Sequence, residues 1–244
     1  MYKIFKKIFH LFLKLKERKY KNRLKYLFFN NHSNRLVVVF SAFSPHPTYN
    51  YLRTLKGFKH FDKLFILDDF GYKGSYYWFE NGSDMPLNLT LELISKITGS
   101  RQYDELITMG SSKGGTCAIY YGLHFNASHI YAGACQYYVG NYLNNNTNLP
   151  IMKAMLGDDF TQEDVAKLNA MMETQLSSHK GSRSMIHLLY SKNEHTYNEH
   201  VVFLLNDLKK YMIPYMEKVE DFSNHSDVGK FFSLFVKEEL SKLK

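Results

Sequence analysis

Apolar residues fall along this chain in short runs separated by mixed stretches. Arg35-Leu36-Val37-Val38-Val39-Phe40 is apolar after its first residue, as a strand buried on both faces must be. Lys63-Leu64-Phe65-Ile66-Leu67, Leu106-Ile107-Thr108-Met109, the stretch from His129 to Cys135 and the stretch from Met185 to Tyr190 read the same way. Tyr215 to Glu220 alternates apolar and charged residues, the period of a strand with one wet face. Between these runs the period changes. Tyr49 to Lys56 reads as a helix, and residues 86–99 are amphipathic through Leu87, Leu91, Ile94 and Ile97. A small-residue helix starts near Thr116, another spans roughly Asn198 to Tyr211, and Phe231, Phe232, Leu234, Phe235 and Leu240 give the last helix an apolar face. Six strands alternating with helices predict right-handed crossovers and a mostly parallel sheet with helices on both faces. Residues 140–182 hold Asn-rich turns and helical patches and are a candidate cap. There is no internal repeat.

The N-terminus carries a different pattern. Ile4, Phe5, Ile8, Phe9, Phe12 and Leu15 recur at helical spacing, with Lys3, Lys6, Lys7 and Lys14 between them. This is the pattern of an amphipathic basic helix. Residues 1–26 hold ten Lys or Arg against one acid, Glu17, giving +9, while the whole chain of 244 residues has a net charge of +8. The basicity therefore belongs to the arm, and the body is close to neutral. The expected organisation is a helical arm over residues 1–30 and one domain over residues 31–244. Such an arm suits docking on an anionic membrane surface or on assembly proteins; the alternative is a helix packed on the domain with its lysines in water. No nucleic-acid module accompanies the charge, so nucleic acid is not an expected partner.

Composition narrows the classes. Hydrophobic residues at 45% and aromatics at 16% fit a globular domain with a substantial core. Cys117 and Cys135 fall in a predicted helix and a predicted strand, so buried thiols are expected and no disulfide scaffold or zinc site. No run approaches the roughly 18–20 apolar residues of a membrane span. No small-residue cleavage site follows the N-terminus, so no secretory leader is expected. The expected location is cytoplasmic, peripheral at the inner face of the membrane. No histidine pair has metal-ligand spacing, His195 and His200 being five apart. No metal or cofactor is expected.

The chemistry concentrates in Met109-Gly110-Ser111-Ser112-Lys113-Gly114-Gly115, between a predicted strand and a predicted helix. Gly110-x-Ser112-x-Gly114 is the nucleophile-elbow pattern of the α/β-hydrolase fold. In that turn the serine sits on a strained backbone with its hydroxyl exposed above the sheet. A Cβ two residues before or after it would strike the neighbouring strand or helix. A phosphate-binding loop is excluded because Gly114 follows Lys113, where Ser or Thr is needed. On this fold the partners follow in the order Ser, acid, His. The turn after Met185–Tyr190 contains Glu194, and the turn after Tyr215–Glu220 contains His225. Ser112 is thus the candidate nucleophile, His225 the base and Glu194 the acid, with Asp221 and Asp227 as competing acids. The backbone N–H of Lys113 and one N–H after the first strand, Phe43 or next Ala42, are the candidate oxyanion donors.

Several stretches resemble the XcbB/CpsF-type capsular polysaccharide biosynthesis proteins. They are Val37-Val38-Val39-Phe40-Ser41, Tyr49-Asn50-Tyr51 with Arg53-Thr54, Ile66-Leu67-Asp68-Asp69-Phe70-Gly71, Gly74-Ser75-Tyr76-Tyr77, Gly110-Ser111-Ser112-Lys113-Gly114-Gly115 and Gln136-Tyr137-Tyr138. The resemblance runs from about residue 35 to the C-terminus. It extends more distantly to the glycan O-acetyltransferase of the accessory Sec export system, through the elbow and the Ser–Glu–His order. It implies an α/β-hydrolase-like fold acting on surface glycans. The expected reaction is acyl transfer, such as O-acetyl transfer, or ester hydrolysis on a bacterial polysaccharide through an acyl-serine. The alternative is a non-catalytic scaffold in a capsule assembly complex at the membrane. No sugar-binding residue is assigned. Tyr76, Tyr77 and Trp78 either stack on sugars or pack in the core, Asp68 and Asp69 either line the site or cap a turn, and the Lys113 side chain is expected in solvent.

Overall fold

The five apolar runs and the alternating one become six parallel strands. The computed structural model describes residues 13–243. The strands are β3 (Arg35–Phe40), β4 (Asp62–Ile66), β5 (Glu105–Ser111), β6 (His129–Gly133), β7 (Met185–Tyr190) and β8 (Tyr215–Val219). Two more precede them, β1 (Arg18–Tyr20) and β2 (Leu24–Phe29). All eight form one sheet in the order β1-β2-β4-β3-β5-β6-β7-β8. β3 to β8 pair in parallel, while β1–β2 and β2–β4 are antiparallel.

Alternate side chains of each central strand enter different cores, which is why those runs are apolar throughout. Leu36, Val38 and Phe40 pack with Leu64 and Ile66 on one face; Val37, Val39, Phe65, Ile107 and Met109 pack on the other. The first face is covered by α3 (Met85–Gly99), α4 (Lys113–His124), α7 (Gln162–Ser178) and α8 (Val202–Lys210). The second is covered by α9 (Val228–Lys242) and the short α2 (Leu52–Leu55). β8 is the outer edge, with Met216 and Val219 largely exposed and Glu217 and Lys218 beside them. Charges on an edge strand discourage pairing with another chain.

The N-terminal boundary differs from the expectation. Residues 18–29, assigned to a helical arm, are a β-hairpin in the sheet, and β2 pairs with β4 from Tyr26↔Ile66 to Phe29↔Lys63. The basic residues there have carboxylate partners in the domain. Arg23 reaches Asp69 and Glu80 at 3.1 and 2.8 Å, and Lys25 reaches Asp69 at 2.6 Å. Leu24 and Leu27 are fully buried. Charge set the expectation of an arm, whereas the burial of these leucines sets the structure. α1 is described over residues 13–16, with Leu13 against the second core and Leu15 exposed. The rest of the expected helix, residues 1–12, lies outside the described residues. Within the candidate cap, α7 belongs to the helical layer through Val165, Leu168, Met172 and Leu176. α5 (Val139–Leu143) and α6 (Leu149–Leu156) precede it. Among the described residues no helix is long and apolar enough to cross a membrane.

β4 lies on one side of β3 and β5 on the other, so the strand order reverses between consecutive connections. Open α/β sheets bind ligands at such a point, beyond the carboxyl ends of the strands. The hairpin's structural role gives a measurable expectation. Leu27→Ala leaves a cavity beneath β2 and should lower the unfolding free energy by about 2–5 kcal/mol in urea denaturation. A change below about 0.5 kcal/mol would mean that the hairpin is not part of the cooperative domain.

Candidate active site

Ser112 stands between the last residue of β5 and the first of α4, with φ 52° and ψ −128°. This is a costly conformation for a residue with a side chain. The chain reverses so tightly that a Cβ on Gly110 would lie 2.2 Å from the Gly114 carbonyl oxygen, and one on Gly114 would lie 2.7 Å from that of Phe40. Ser112 N–H donates to Gly133 O on β6 at 2.7 Å, while Gly115 and Thr116 N–H groups take the Ser112 carbonyl at 2.8 and 3.1 Å. Sheet and helix hold the strained residue from both sides.

Two loops at the same sheet edge bring the expected partners. His225 lies in a 3-10 turn (His225–Asp227) after β8, and its Nε2 is 2.8 Å from Ser112 Oγ. Its Nδ1 is 3.1 Å from Glu194 Oε1, in the turn after β7. A carboxylate only accepts, so Nδ1 carries the proton and bare Nε2 accepts from the serine hydroxyl. Glu194 is 1% exposed. Burial pushes its carboxyl up, but hydrogen bonds from His225 and Thr196 and the neighbouring imidazoles outweigh it and hold the group below its ordinary value. Glu194 is therefore the anion that orients the ring. Asp221 instead accepts from Asn193 at 2.9 Å, and with both ring nitrogens of His225 engaged neither Asp221 nor Asp227 takes the acid position.

The oxyanion candidates can be compared. Lys113 N–H is in the first turn of α4, where no intrahelical acceptor exists. Ala42 N–H is taken by Asn50 Oδ1 at 2.9 Å, which leaves Phe43 as the candidate after β3. The Lys113 side chain departs from expectation. It is fully buried, ion-paired to the equally buried Asp68 at 2.5 Å, with Nζ 4.7 Å from the Tyr77 ring centroid and 5.5 Å from that of Phe43. Asp69 turns away to Arg23 and Lys25. Tyr76, Tyr77 and Trp78 are fully buried, so of the two readings for these aromatics the core is the one realised.

Two contacts escaped the sequence. Gln136 Nε2 donates to Ser112 Oγ at 3.1 Å. Its backbone is clasped by Thr116, whose hydroxyl donates to Gln136 O and accepts from Gln136 N–H, both at 2.9 Å. Only the Gln136-Tyr137-Tyr138 stretch of the resemblance pointed there. His195 Nδ1 lies 2.6 Å from the same Glu194 oxygen that holds His225.

No protein-family model and no curated protein sequence matches the chain. Solved structures do. The capsule O-acetyltransferase of Neisseria meningitidis serogroup A, in complex with CoA, aligns with a TM-score of 0.75 at 20% identity, over 91% of this chain and 93% of that one. The glycosylation-associated Gap123 complex of Streptococcus agalactiae gives 0.69 at 19% identity, over 93% of this chain and 46% of that one. FphF, a fluorophosphonate-binding serine hydrolase of Staphylococcus aureus, gives 0.62 at 12% identity, over 89% and 90%. The chain has the α/β-hydrolase fold, with eight strands where six were expected.

The ion pair beside the elbow makes a stability prediction. Lys113→Met strands a buried carboxylate and should cost about 3–5 kcal/mol, whereas Lys113→Met with Asp68→Asn should recover most of it. Equal losses in the single and double variants would mean that the pair is not coupled.

Proposed function

We propose that this protein is a serine acyltransferase or esterase acting on a bacterial surface or capsular polysaccharide. The observation that carries the reading is the unbroken hydrogen-bonded chain Ser112–His225–Glu194 on a strained elbow. A scaffold that had lost activity has no need to keep such strain with all three partners in register. Ser112 Oγ attacks the acyl carbonyl as His225 Nε2 takes its proton, and Glu194 stabilises the imidazolium. The Lys113 and Phe43 N–H groups receive the oxyanion. The carbonyl re-forms, expelling the donor's leaving group with the proton from His225. A sugar hydroxyl then gives its proton to His225, attacks the acyl-serine, and releases the ester and free Ser112. With water in that place the same chemistry is hydrolysis.

Transfer is the favoured direction, with an acyl-CoA thioester as donor, on likeness to an O-acetyltransferase that binds CoA. The likeness to a fluorophosphonate-binding serine hydrolase supports the acyl-serine and keeps hydrolysis as the second reading. We also assign the chain to the XcbB/CpsF-type family, on the stretches quoted above. A fluorophosphonate probe should label the wild type and not Ser112→Ala, and turnover of an activated ester should fall by about 10⁴-fold or more. Equal labelling of both proteins would identify the elbow serine as a bystander and leave the scaffold reading.

The basic residues ahead of the sheet, Lys3, Lys6, Lys7, Lys14 and Lys16, are proposed to hold the protein on anionic lipid at the inner face of the membrane. Full-length protein should co-sediment with phosphatidylserine vesicles, less so at high salt, and deletion of residues 1–12 should reduce it. Equal binding by both forms would exclude the arm. The deletion must stop short of β1, because residues 18–29 belong to the domain.

A further inference from the structure

A cavity of about 730 Å³ opens beside the serine chain and has no part in the chemistry so far described. This is within the size range of small-molecule sites. α5 and the Asn-rich loop after it form one wall, and residues 195–203 form the other. The second wall contains a π-helical turn, Tyr197–Val201, a rare element that recurs at functional sites. His195 joins the cavity to the base. Its ring lines the cavity, bonds Glu194 and lies 5.6 Å from the His225 ring, centroid to centroid.

His200, in the π turn, is 2% exposed and also lines the cavity. Tyr138 N–H donates to its Nδ1 at 3.3 Å. That nitrogen is therefore bare, and in the neutral ring the proton is on Nε2. Burial pulls the ring's pKa down to about 4, so the ring is neutral at ordinary pH. Nε2 is buried with no hydrogen-bond partner among the described residues, and Glu199 is 4.0 Å away, beyond reach. A buried N–H donor without an acceptor costs free energy that a ligand oxygen would recover once the ring turns Nε2 into the cavity.

The rest of the lining indicates the ligand's chemistry. Tyr138 and Phe203 stand edge to face, with centroids 5.0 Å apart, and offer apolar faces. Asn145 and Asn148 donate side-chain N–H to the Tyr142 carbonyl at 2.8 and 3.0 Å, so the loop is set before any ligand arrives. The lining has no lysine or arginine, the residues that phosphate groups recruit. We propose that this cavity is the subsite for an uncharged saccharide, with His200 Nε2–H donating to one of its oxygens and the sugar's apolar face against Phe203. The saccharide's role as acyl acceptor rests on the acyl-transfer reading above; its binding does not.

Binding separates the two. Saturation-transfer NMR on the full chain would use methyl β-D-glucoside, methyl β-D-galactoside and N-acetyl-D-glucosamine as probes, with CoA as competitor. At least one sugar should bind the wild type, and CoA should not displace it. His200→Phe should weaken binding by about tenfold or more, with His200→Gln, which keeps an N–H donor, losing less. Phe203→Ala, at an exposed position, should also weaken binding and does not depend on refilling a buried site. Binding of no sugar, undiminished binding by both His200→Phe and Phe203→Ala, or displacement by CoA would overturn the proposal. Fluorophosphonate labelling of the same samples reports on Ser112 alone, so sugar binding without labelling would sink the acyl-transfer reading and spare the subsite.

Discussion

The contact between Asp68 and Lys113 organises the ground around the serine. Lys113 follows Ser112 directly, and Asp68 follows the end of β4. Their ion pair at 2.5 Å, fully shielded from water, therefore ties the elbow to a strand two places away in the sheet. Asp68 also accepts N–H groups from Ser75 and Tyr77 at 2.8 and 3.2 Å. These bonds fold the aromatic turn, in which Tyr76 and Tyr77 have positive φ. The Tyr77 hydroxyl then accepts from Ser41 N–H and donates to Ile66 O, both at 2.8 Å. The loops after β3 and β4 and the start of α4 are thus braced by one buried charge pair. Gly74 is part of the same arrangement, since a Cβ there would meet Asp68 and Lys113 at 3.0 and 3.1 Å. A buried pair is a poor way to gain stability, but here its carboxylate joins the elbow lysine and two N–H groups of the aromatic turn in one cluster.

Around the hydroxyl itself, polar contacts assign a direction to each proton. Gln136 donates to Ser112 Oγ, and the serine's own proton points to His225. The Gln136 oxygen is met by the Tyr76 hydroxyl at 3.3 Å, which fixes the orientation of the amide. The aromatic turn therefore acts on the serine twice, through Lys113 and through Gln136. Its burial is consistent with a bracing part and not with a sugar platform.

The central sheet and the serine chain were legible because they depend on local pattern and chain order. Apolar runs mark β3 to β7, and the elbow glycines announce a backbone approach that only they allow. Glu194 and His225 could be found because the fold dictates which strand each must follow. What was hidden depends on contacts distant in sequence. Arg23 and Lys25 look like an arm until Asp69 and Glu80 are brought to them. Lys113 looks solvated until Asp68, 45 residues earlier, arrives beside it. His195 and His200 were weighed against the period of an ordinary helix, whereas the residues between them wind partly as a π turn. The burial of His200 Nε2 has no signature in composition at all.

The order of these parts along the chain has a consequence for biosynthesis. Ser112 and Glu194 leave the ribosome before His225, and α9, which seals the second core, comes last of all. Until then Ser112 has no imidazole beside it, β7 is an open edge, and the apolar side of β5 and β6 lacks its cover. A chain interrupted anywhere before residue 225 therefore lacks the hydrogen-bonded chain at the elbow and exposes surface that invites aggregation or proteolysis. The hydrogen-bonded chain at the elbow and the closure of the second core are therefore made late in synthesis and close together.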